Sequence, residues 1–388
     1  MKEIKNKDNE KNILKKLDLY KKKDFSFSSG RILGSMCTSP HPIAKKAYMQ
    51  FLETNLGDPQ LFLGAKEIEK KYIIFLKKLL NAPMSSTAII GSGGTESNIV
   101  AAWIAKKLSG KNEIIIPKTA HFSFDKIASL MEMKLVSVSV DDNCKINTSS
   151  LKKVVSNKTA MVLGIAGTTE LGTIDPISDI ADICYDEHVF FHVDAAFGGY
   201  VIPFLRALKD DIPIFDFKIK GICSIAIDAH KMGYSAIPLG TLILREKKWV
   251  ESISVDTPYI SSDKQTGLVG TRSGGPVAAA YAVAEYLGFN GYKELVRRCM
   301  DDTDYFCKKI KDLGLTLYIE PVMNVVAVKL KNPSKVAKLL TEEGWKVNLM
   351  KRLGCIRIVV MPHVTRKVIN DFIPVFKKAC IKAGENIS

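Results

Sequence analysis

The sequence has few of the features that mark metal-binding, membrane-spanning or secreted proteins. Its eight cysteines form no C-x-x-C pair and no Cys/His cluster at zinc-ligand spacing. No apolar run approaches the roughly 18 residues that indicate a membrane span. The N-terminus is rich in Lys, Asn, Asp and Glu and has no apolar segment of the kind found in secretory signals. We therefore expect a cytoplasmic protein that binds neither a metal nor a membrane, with reduced thiols in its interior.

The net charge of +15 is spread along the chain rather than concentrated. Lysines occur in scattered pairs, such as Lys45-Lys46 and Lys70-Lys71, and no Arg-rich arm or basic-aromatic alternation accompanies them. An excess of positive charge can attract nucleic acid or anionic substrates. The dispersed pattern favours lysines on outer helix faces, so we do not expect nucleic acid as a partner.

Length and periodicity predict one large α/β unit and one smaller unit within the 388 residues. Strand-like runs that alternate with helical stretches predict a mainly parallel, seven-stranded sheet covered on both faces. They lie at residues 88–90, 114–116, 134–138, 160–165, 189–193, 222–227 and 239–244.

The C-terminal part has a different pattern, in which strands come in pairs between helices. Helices are expected at 277–287 and 292–313, and strands at 316–319, 324–330, 346–350 and 355–360. We therefore predict an N-terminal arm (1–50), a large α/β domain (51–290) and a small α+β domain with an antiparallel sheet (291–388).

Two reactive side chains follow predicted strands. Asp194 ends the run F-F-H-V-D, and Lys231 follows I-A-I-D-A-H. Ligands of open α/β sheets bind at the carboxyl ends of strands. A lysine amine that can form a Schiff base with an aldehyde, and a carboxylate that can keep a pyridine nitrogen protonated, are what pyridoxal phosphate requires. The pair predicts that cofactor.

A glycine-rich loop, G-S-G-G-T-E-S-N at 91–98, joins a strand to a helix. Its glycines and the helix N-terminus can hold a phosphate, or the loop can be a turn with a Ser or Thr cap. With Asp194 and Lys231 downstream, phosphate binding is favoured. The loop is neither a P-loop nor G-x-G-x-x-G.

Three further loops carry candidate residues. His121 can stack on a flat aromatic cofactor or be a hydrogen-bonded loop histidine. Thr169, in the loop 167–176, can bond a phenolic oxygen, or this loop can cap the helix after Pro176. The loop 270–276 can supply a second phosphate contact, although Arg272 within it can instead be structural.

These motifs together resemble the group II pyridoxal-phosphate-dependent amino-acid decarboxylases of fold type I. The shared features are the 93–95 loop, His121, H-V-D-A-A at 192–196 and H-K at 230–231, in the family's order. The resemblance covers nearly the whole chain after about residue 30. The compact length and the motifs at 32–42, 55–59 and 227–233 are most similar to archaeal tyrosine/aspartate decarboxylases. That similarity implies production of tyramine for methanofuran or of β-alanine for coenzyme A.

The resemblance also implies roles for individual residues and a homodimer whose active site is shared between subunits. Cofactor contacts would come from Lys231 as the Schiff-base lysine, Asp194 at the pyridinium nitrogen, Ala196 and His121 on the two ring faces, Thr169 near the phenolic oxygen, and Gly93, Gly94, Thr95, His230 and, across the dimer, Thr271 at the phosphate. Arg357 would bind the substrate α-carboxylate. Apart from the resemblance, Ser35, Met36, His41 and the 255–265 loop are candidates for lining the substrate pocket. Tyr259 or His230 would return the proton to Cα. Asp228 stands where many members have a serine, and its role stays open.

Three other functions are compatible with the same motifs. A carbon–carbon lyase of the sphingosine-phosphate type shares D-x-H-K but usually carries a membrane anchor. A tRNA-dependent pyridoxal-phosphate enzyme would use the positive charge to bind RNA. A non-catalytic relative is disfavoured because Lys231 and Asp194 are both present.

Overall fold

The computed structural model describes residues 7–258 and 264–387. The predicted proton donor Tyr259 lies outside the described residues. The helices are α1 (Lys7–Lys21), α2 (Pro42–Gln50), α3 (Leu63–Leu79), α4 (Gly94–Ser109), α5 (Ser123–Met131), α6 (Thr148–Val154), α7 (Ile177–Asp186), α8 (Ile202–Arg206), α9 (Gly274–Asp312), α10 (Pro333–Glu342) and α11 (Arg366–Ala383). The strands are β1 (Thr87–Gly91), β2 (Glu113–Pro117), β3 (Lys134–Val138), β4 (Thr159–Ile165), β5 (Phe190–Asp194), β6 (Ile222–Asp228), β7 (Gly240–Leu244), β8 (Val255–Asp256), β9 (Lys264–Gln265), β10 (Val325–Lys329), β11 (Asn348–Met350) and β12 (Cys355–Val359).

The large sheet has seven strands in the order β1-β7-β6-β5-β4-β2-β3. Strands β2 to β6 pair in parallel, whereas β7 runs antiparallel to both of its neighbours. Every residue of β4 and β5 is buried, as expected for central strands covered on both faces. This confirms the predicted mainly parallel seven-stranded sheet. The parallel register pairs Ile165 with Asp194 and Asp194 with Ala226, so the carboxyl ends of three strands meet at one edge.

The small sheet is antiparallel, in the order β10-β12-β11. Its register places Arg357 in the central strand, between Ala327 and Asn348. The strand predicted at 316–319 is wrong, because this segment forms only an isolated bridge between Leu317 and Val328.

The two helices predicted at 277–287 and 292–313 form the two arms of α9, which are separated by a kink at Gly288. Gly288 has a φ of 54°, a left-handed conformation that glycine adopts without steric cost. The predicted break between the two helices is therefore confirmed. The domain boundary near residue 290 falls just after this bend and stays a prediction.

The segment after α1 runs along the small sheet and brings residues 34–37 towards the large one. Leu33 N donates to Lys346 O over 2.8 Å, and Val359 N donates to Leu33 O over 2.7 Å. His363 strengthens this attachment through hydrogen bonds with Thr38 Oγ1 and Ile32 O. The N-terminal segment thereby becomes one wall of the region between the sheets.

Two negative findings hold for residues 7–258 and 264–387. No helix there combines the length and apolar character needed to span a bilayer. The same residues contain no group of three or more His, Cys, Asp or Glu side chains arranged to hold a metal ion.

Candidate active site

A cavity of about 420 Å³ lies at the carboxyl edge of β4, β5 and β6. It brings together ten of the residues predicted from the sequence. They are Gly93, Gly94, Thr95, His121, Thr169, Asp194, Ala196, Asp228, His230 and Lys231. They come from loops far apart in the sequence, and the parallel strands bring these loops to one edge of the sheet.

Lys231 stands in the turn that follows β6. Its Nζ lies 3.1 Å from Asp228 Oδ2, and its side chain is 21% exposed. Burial alone would lower the pKa of Lys231, but the carboxylates of Asp228 and Asp194 outweigh it and raise that pKa above its ordinary value. The cofactor-free site therefore holds Lys231 as an ammonium group.

Asp194, the last residue of β5, is oriented by a chain of buried hydrogen bonds. Its Oδ1 accepts from Ala196 N over 3.0 Å, and its Oδ2 accepts from Asn98 Nδ2 over 2.9 Å. Asn98 Oδ1 lies 2.9 Å from His192 Nε2, and His192 Nδ1 lies 2.8 Å from Ser224 Oγ. Since the Asn98 amide donates to Asp194, its oxygen accepts from His192, which must carry its proton on Nε2.

His192 is neutral at pH 7 because burial lowers its pKa to about 4. A neutral ring matches the single donor and single acceptor that the chain requires of it. Sequence reasoning missed both Asn98 and His192 as contributors to the site. The sequence signal that could have identified Asn98 is its position, because it is a polar residue four positions after the start of α4, on the face that packs against the sheet.

The glycine turn before α4 leaves no space for side chains. A Cβ on Gly94 would lie 2.9 Å from Ala196 Cβ, and one on Gly240 would lie 2.4 Å from Gly93 Cα. Ser92 N and Oγ both bond Glu96 Oε2 at 2.7 Å, which secures the entry into the helix. The first N–H groups of α4 have no intrahelical acceptors and lie at the cavity, which is the arrangement that binds an anion.

His121 lines the same cavity from the loop after β2. Its Nδ1 accepts from Ser123 N over 3.2 Å, and its ring lies 4.0 Å from that of Phe122. Burial lowers the pKa of His121 below its ordinary value, which favours the neutral ring. The site therefore offers a flat neutral ring, a methyl group at Ala196, an amine, a carboxylate and a helix N-terminus. This donor set fits pyridoxal phosphate.

A second cavity of about 330 Å³ adjoins the first and shares His121, Thr169 and Lys231 with it. Its other lining residues are Ile32, Gly34, Ser35, Met36, Lys346, Asn348 and Arg357. The predicted residues Ser35 and Arg357 are thus brought close to Lys231. Lys346 and Asn348 were not predicted, because no local pattern shows that β11 and the residues before it face the large sheet.

Arg357 is 3% exposed and is held by two backbone carbonyls. Its Nη2 donates to Gly34 O over 2.7 Å, and its Nη1 donates to Thr169 O. Burial lowers the pKa of the guanidinium to about 10, so it stays charged at neutral pH. Its Nε has no partner among the described residues. A guanidinium fixed in this way is a ready site for a carboxylate.

Two predicted residues lie elsewhere. His41 caps the N-terminus of α2, where its Nδ1 accepts from Ile43 N, and it packs against Tyr234 and Tyr286. It lines neither cavity. Thr271 lines a separate cavity of about 210 Å³ beside Arg272, whose guanidinium is 2.6 Å from Glu69 Oε1.

The chain is similar in sequence to known pyridoxal-dependent decarboxylases. The profile of the pyridoxal-dependent decarboxylase conserved domain matches residues 64–331. A probable L-tyrosine/L-aspartate decarboxylase of Methanothermobacter thermautotrophicus is 43% identical over 87% of this chain and 94% of its own length. The L-aspartate decarboxylase of Thermococcus kodakarensis is 43% identical over 94% of this chain and 95% of its own length.

Solved structures share the fold at lower identity. A sphingosine-1-phosphate lyase of Burkholderia pseudomallei superposes with a TM-score of 0.87 at 23% identity, over 99% of this chain and 92% of the lyase. A glutamate decarboxylase of Lactobacillus brevis superposes with a TM-score of 0.85 at 21% identity, over 99% of this chain and 94% of the decarboxylase. By its domain match and its archaeal relatives, the chain belongs to the pyridoxal-dependent decarboxylase family and is a pyridoxal-phosphate-dependent amino-acid decarboxylase of fold type I.

Proposed function

We propose that this enzyme decarboxylates an acidic L-amino acid, with L-aspartate as the preferred substrate and β-alanine, a precursor of coenzyme A, as the product. The observation that carries the proposal is the presence of two cations, Arg357 and Lys346, in the cavity next to Lys231. Aspartate has two carboxylates, and each can pair with one of them. The archaeal relatives described above are named for L-aspartate, alone or with L-tyrosine.

The two cations suit different carboxylates. Arg357 is buried and fixed by Gly34 O and Thr169 O, which suits a group that must be held in one orientation. Lys346 lies nearer the solvent with its Nζ 4.5 Å from the centre of the Phe25 ring. We assign Arg357 to the α-carboxylate and Lys346, with the amide of Asn348, to the side-chain carboxylate.

Pyridoxal phosphate, when bound, supplies an electron sink for the pair left on Cα as CO2 departs. In this proposal Asp194, oriented by Asn98 and the Ala196 N–H, faces the pyridine nitrogen. His121 and Ala196 would cover the two faces of the ring. The N–H groups at Gly94 and Thr95 would hold the phosphate, and Thr169 would lie on the phenolic side.

Proton delivery to Cα is assigned to His230 or Tyr259. His230 lines the cavity, and its Nδ1 lies 2.7 Å from Leu239 O. This contact fixes the ring and leaves Nε2 on the other side, 3.6 Å from Asp228 Oδ2. Lys231 remains the group that exchanges with the substrate amine.

We also propose that two subunits share the active site. Thr271 does not line the Lys231 cavity of its own chain, although its cavity shares Ser92 with that cavity, and we assign its phosphate contact to the cofactor of a second subunit. Large apolar side chains are exposed on the same part of the protein, among them Met49, Leu61, Leu63 and Tyr286. A second copy that covers them would bury apolar surface and complete the site.

L-Tyrosine, the precursor of tyramine for methanofuran, is the second candidate substrate. Met36 and Phe122 give the paired cavities an apolar wall on which a phenol can pack. Against it, a phenol would leave the Lys346 charge without a carboxylate partner.

The test is an assay of purified enzyme with pyridoxal phosphate against aspartate, tyrosine, glutamate and cysteate, with each amine product identified. We expect the highest kcat/KM with aspartate. Higher kcat/KM with tyrosine would reject the acidic-substrate proposal, and CO2 release from none of the four would reject an amino-acid substrate of this group.

A further inference from the structure

Asp228 is the site residue for which the decarboxylase chemistry leaves no role. It ends β6, is 1% exposed, and lies 3.1 Å through Oδ2 from Lys231 Nζ. Its other oxygen, Oδ1, is buried without a hydrogen-bond partner among the described residues. Burial of a carboxylate with one oxygen unpaired is costly unless the charge has a use.

The carboxylate of Asp228 also lies beside the turn that would hold the phosphate. A Cβ on Gly94 would be 3.1 Å from Asp228 Oδ2, and one on Gly240 would be 2.5 Å from Oδ1. A charged Asp228 and a bound phosphate dianion would therefore repel each other across a short, poorly solvated distance. Loading of the cofactor is easier if Asp228 has become neutral.

Lys231 must also become neutral before the cofactor can attach, because an amine attacks an aldehyde only after it has lost its proton. The Asp228 carboxylate is its ion-pair partner in the described structure. The other titratable groups that face Lys231 are Asp194 on β5, Cys37 in the N-terminal segment and His121 after β2. Asp228 in addition faces His230 and, from α3, Tyr72.

We propose that Asp228 is the counter-ion that keeps Lys231 protonated in the cofactor-free protein and that takes up its proton when pyridoxal phosphate binds. The N–H bond of Lys231 breaks and an O–H bond forms on Asp228, so a +1/−1 pair becomes two neutral groups without another reactant. One proton shift thus frees the amine for attachment and removes the negative charge beside the phosphate turn. At higher pH the pair instead loses this proton to solvent, and Lys231 is then neutral without the shift.

The experiment follows attachment of pyridoxal phosphate to cofactor-free protein by its yellow absorbance, between about pH 6 and 10, in wild type, Asp228→Asn and Asp228→Ser. Because both variants remove the counter-ion, Lys231 loses its proton at lower pH. We expect the attachment rate of both variants to begin rising at a pH about one unit or more below that of wild type.

A second measurement follows binding of the phosphate alone and does not require a bond to Lys231. Pyridoxamine phosphate has the phosphate but no aldehyde, and its affinity, measured by calorimetry near pH 8, should rise about tenfold in both variants. Asp142→Asn, which removes an exposed carboxylate, is the matched control and should behave as wild type in both assays.

If the attachment rate of both variants rises at the same pH as that of wild type, or at a higher pH, the proposal is overturned. If Asp228→Asn fails to fold, Asp228→Ser and the wild-type profile still decide the question. None of these measurements uses an amino-acid substrate, so their outcome is independent of whether aspartate is the substrate.

Discussion

Asn98 Nδ2 donates a 2.9 Å hydrogen bond to Asp194 Oδ2, and the same amide accepts from His192 on its other side. Asn98 therefore fixes the orientation of the carboxylate that we assign to the cofactor nitrogen. Because all three side chains are buried, no water is available to replace a lost partner.

Asn98→Leu should lower the cofactor affinity and kcat at least about tenfold. The substitution leaves a buried carboxylate with one fewer donor and His192 with an unpaired N–H, at a cost of about 2–4 kcal/mol in unfolding free energy. Titration with pyridoxal phosphate and urea unfolding measure the two effects. Asn112→Leu, at an exposed position, is the control, and equal losses in both variants would contradict the role of Asn98.

His192 should make the protein sensitive to acid. Its folded-state pKa is about 4 against an ordinary value of 6.5, so the unfolded chain binds a proton in this range and the folded chain does not. The contribution of neutral His192 to the unfolding free energy is therefore fully present above about pH 6.5. It is lost as the pH falls towards 4, and the total loss is about 3 kcal/mol. Relative to His192→Gln, the wild-type unfolding free energy should fall over this interval, and parallel curves would disprove the assignment.

Lys346→Met should raise the KM for aspartate about tenfold or more and change kcat less. The lysine is assigned to the side-chain carboxylate, and a charge-assisted hydrogen bond of this kind contributes about 1.5–3 kcal/mol. Lys329→Met is a matched control, because Lys329 also stacks on an aromatic ring but lies outside both cavities. If the two variants have the same KM, Lys346 does not contact the substrate.

Lys231→Ala should have no turnover and no yellow absorbance with pyridoxal phosphate, because it lacks the amine that attaches the cofactor. Lys118→Ala removes an exposed lysine from a nearby loop and should keep both properties. A Lys231→Ala protein that stays yellow and active would show that another lysine binds the cofactor.

Mixed subunits can test whether Thr271 acts across a dimer. Lys231→Ala and Thr271→Asp should each be inactive or nearly so, the second because a carboxylate repels the phosphate. After unfolding and refolding together in equal amounts, half of the dimers would be hybrids with one intact site, and activity should return to about one quarter of wild type. If Thr271 acts within its own chain, mixing will restore nothing.

Much of the cavity around Lys231 could be predicted because its residues follow strands and turns with strong local signals. The Asp194 and Lys231 runs, the glycine turn and His121 each stand beside a short apolar strand, and parallel pairing brings such strand ends to one edge. The strand at 316–319 was mistaken, since an apolar run alone does not show whether a segment finds a partner.

The sequence by itself determined the α/β fold, the cofactor and the pairing of Lys231 with Asp194, because these depend on local periodicity and on residues at strand ends. Only the tertiary structure decided what surrounds them. Asn98 meets His192 across 94 positions of sequence. Lys346, just before β11, lines the cavity next to Lys231, and Asp228 pairs with Lys231 at the carboxyl edge of the large sheet. Such contacts depend on register and packing between distant segments, and no local pattern encodes them.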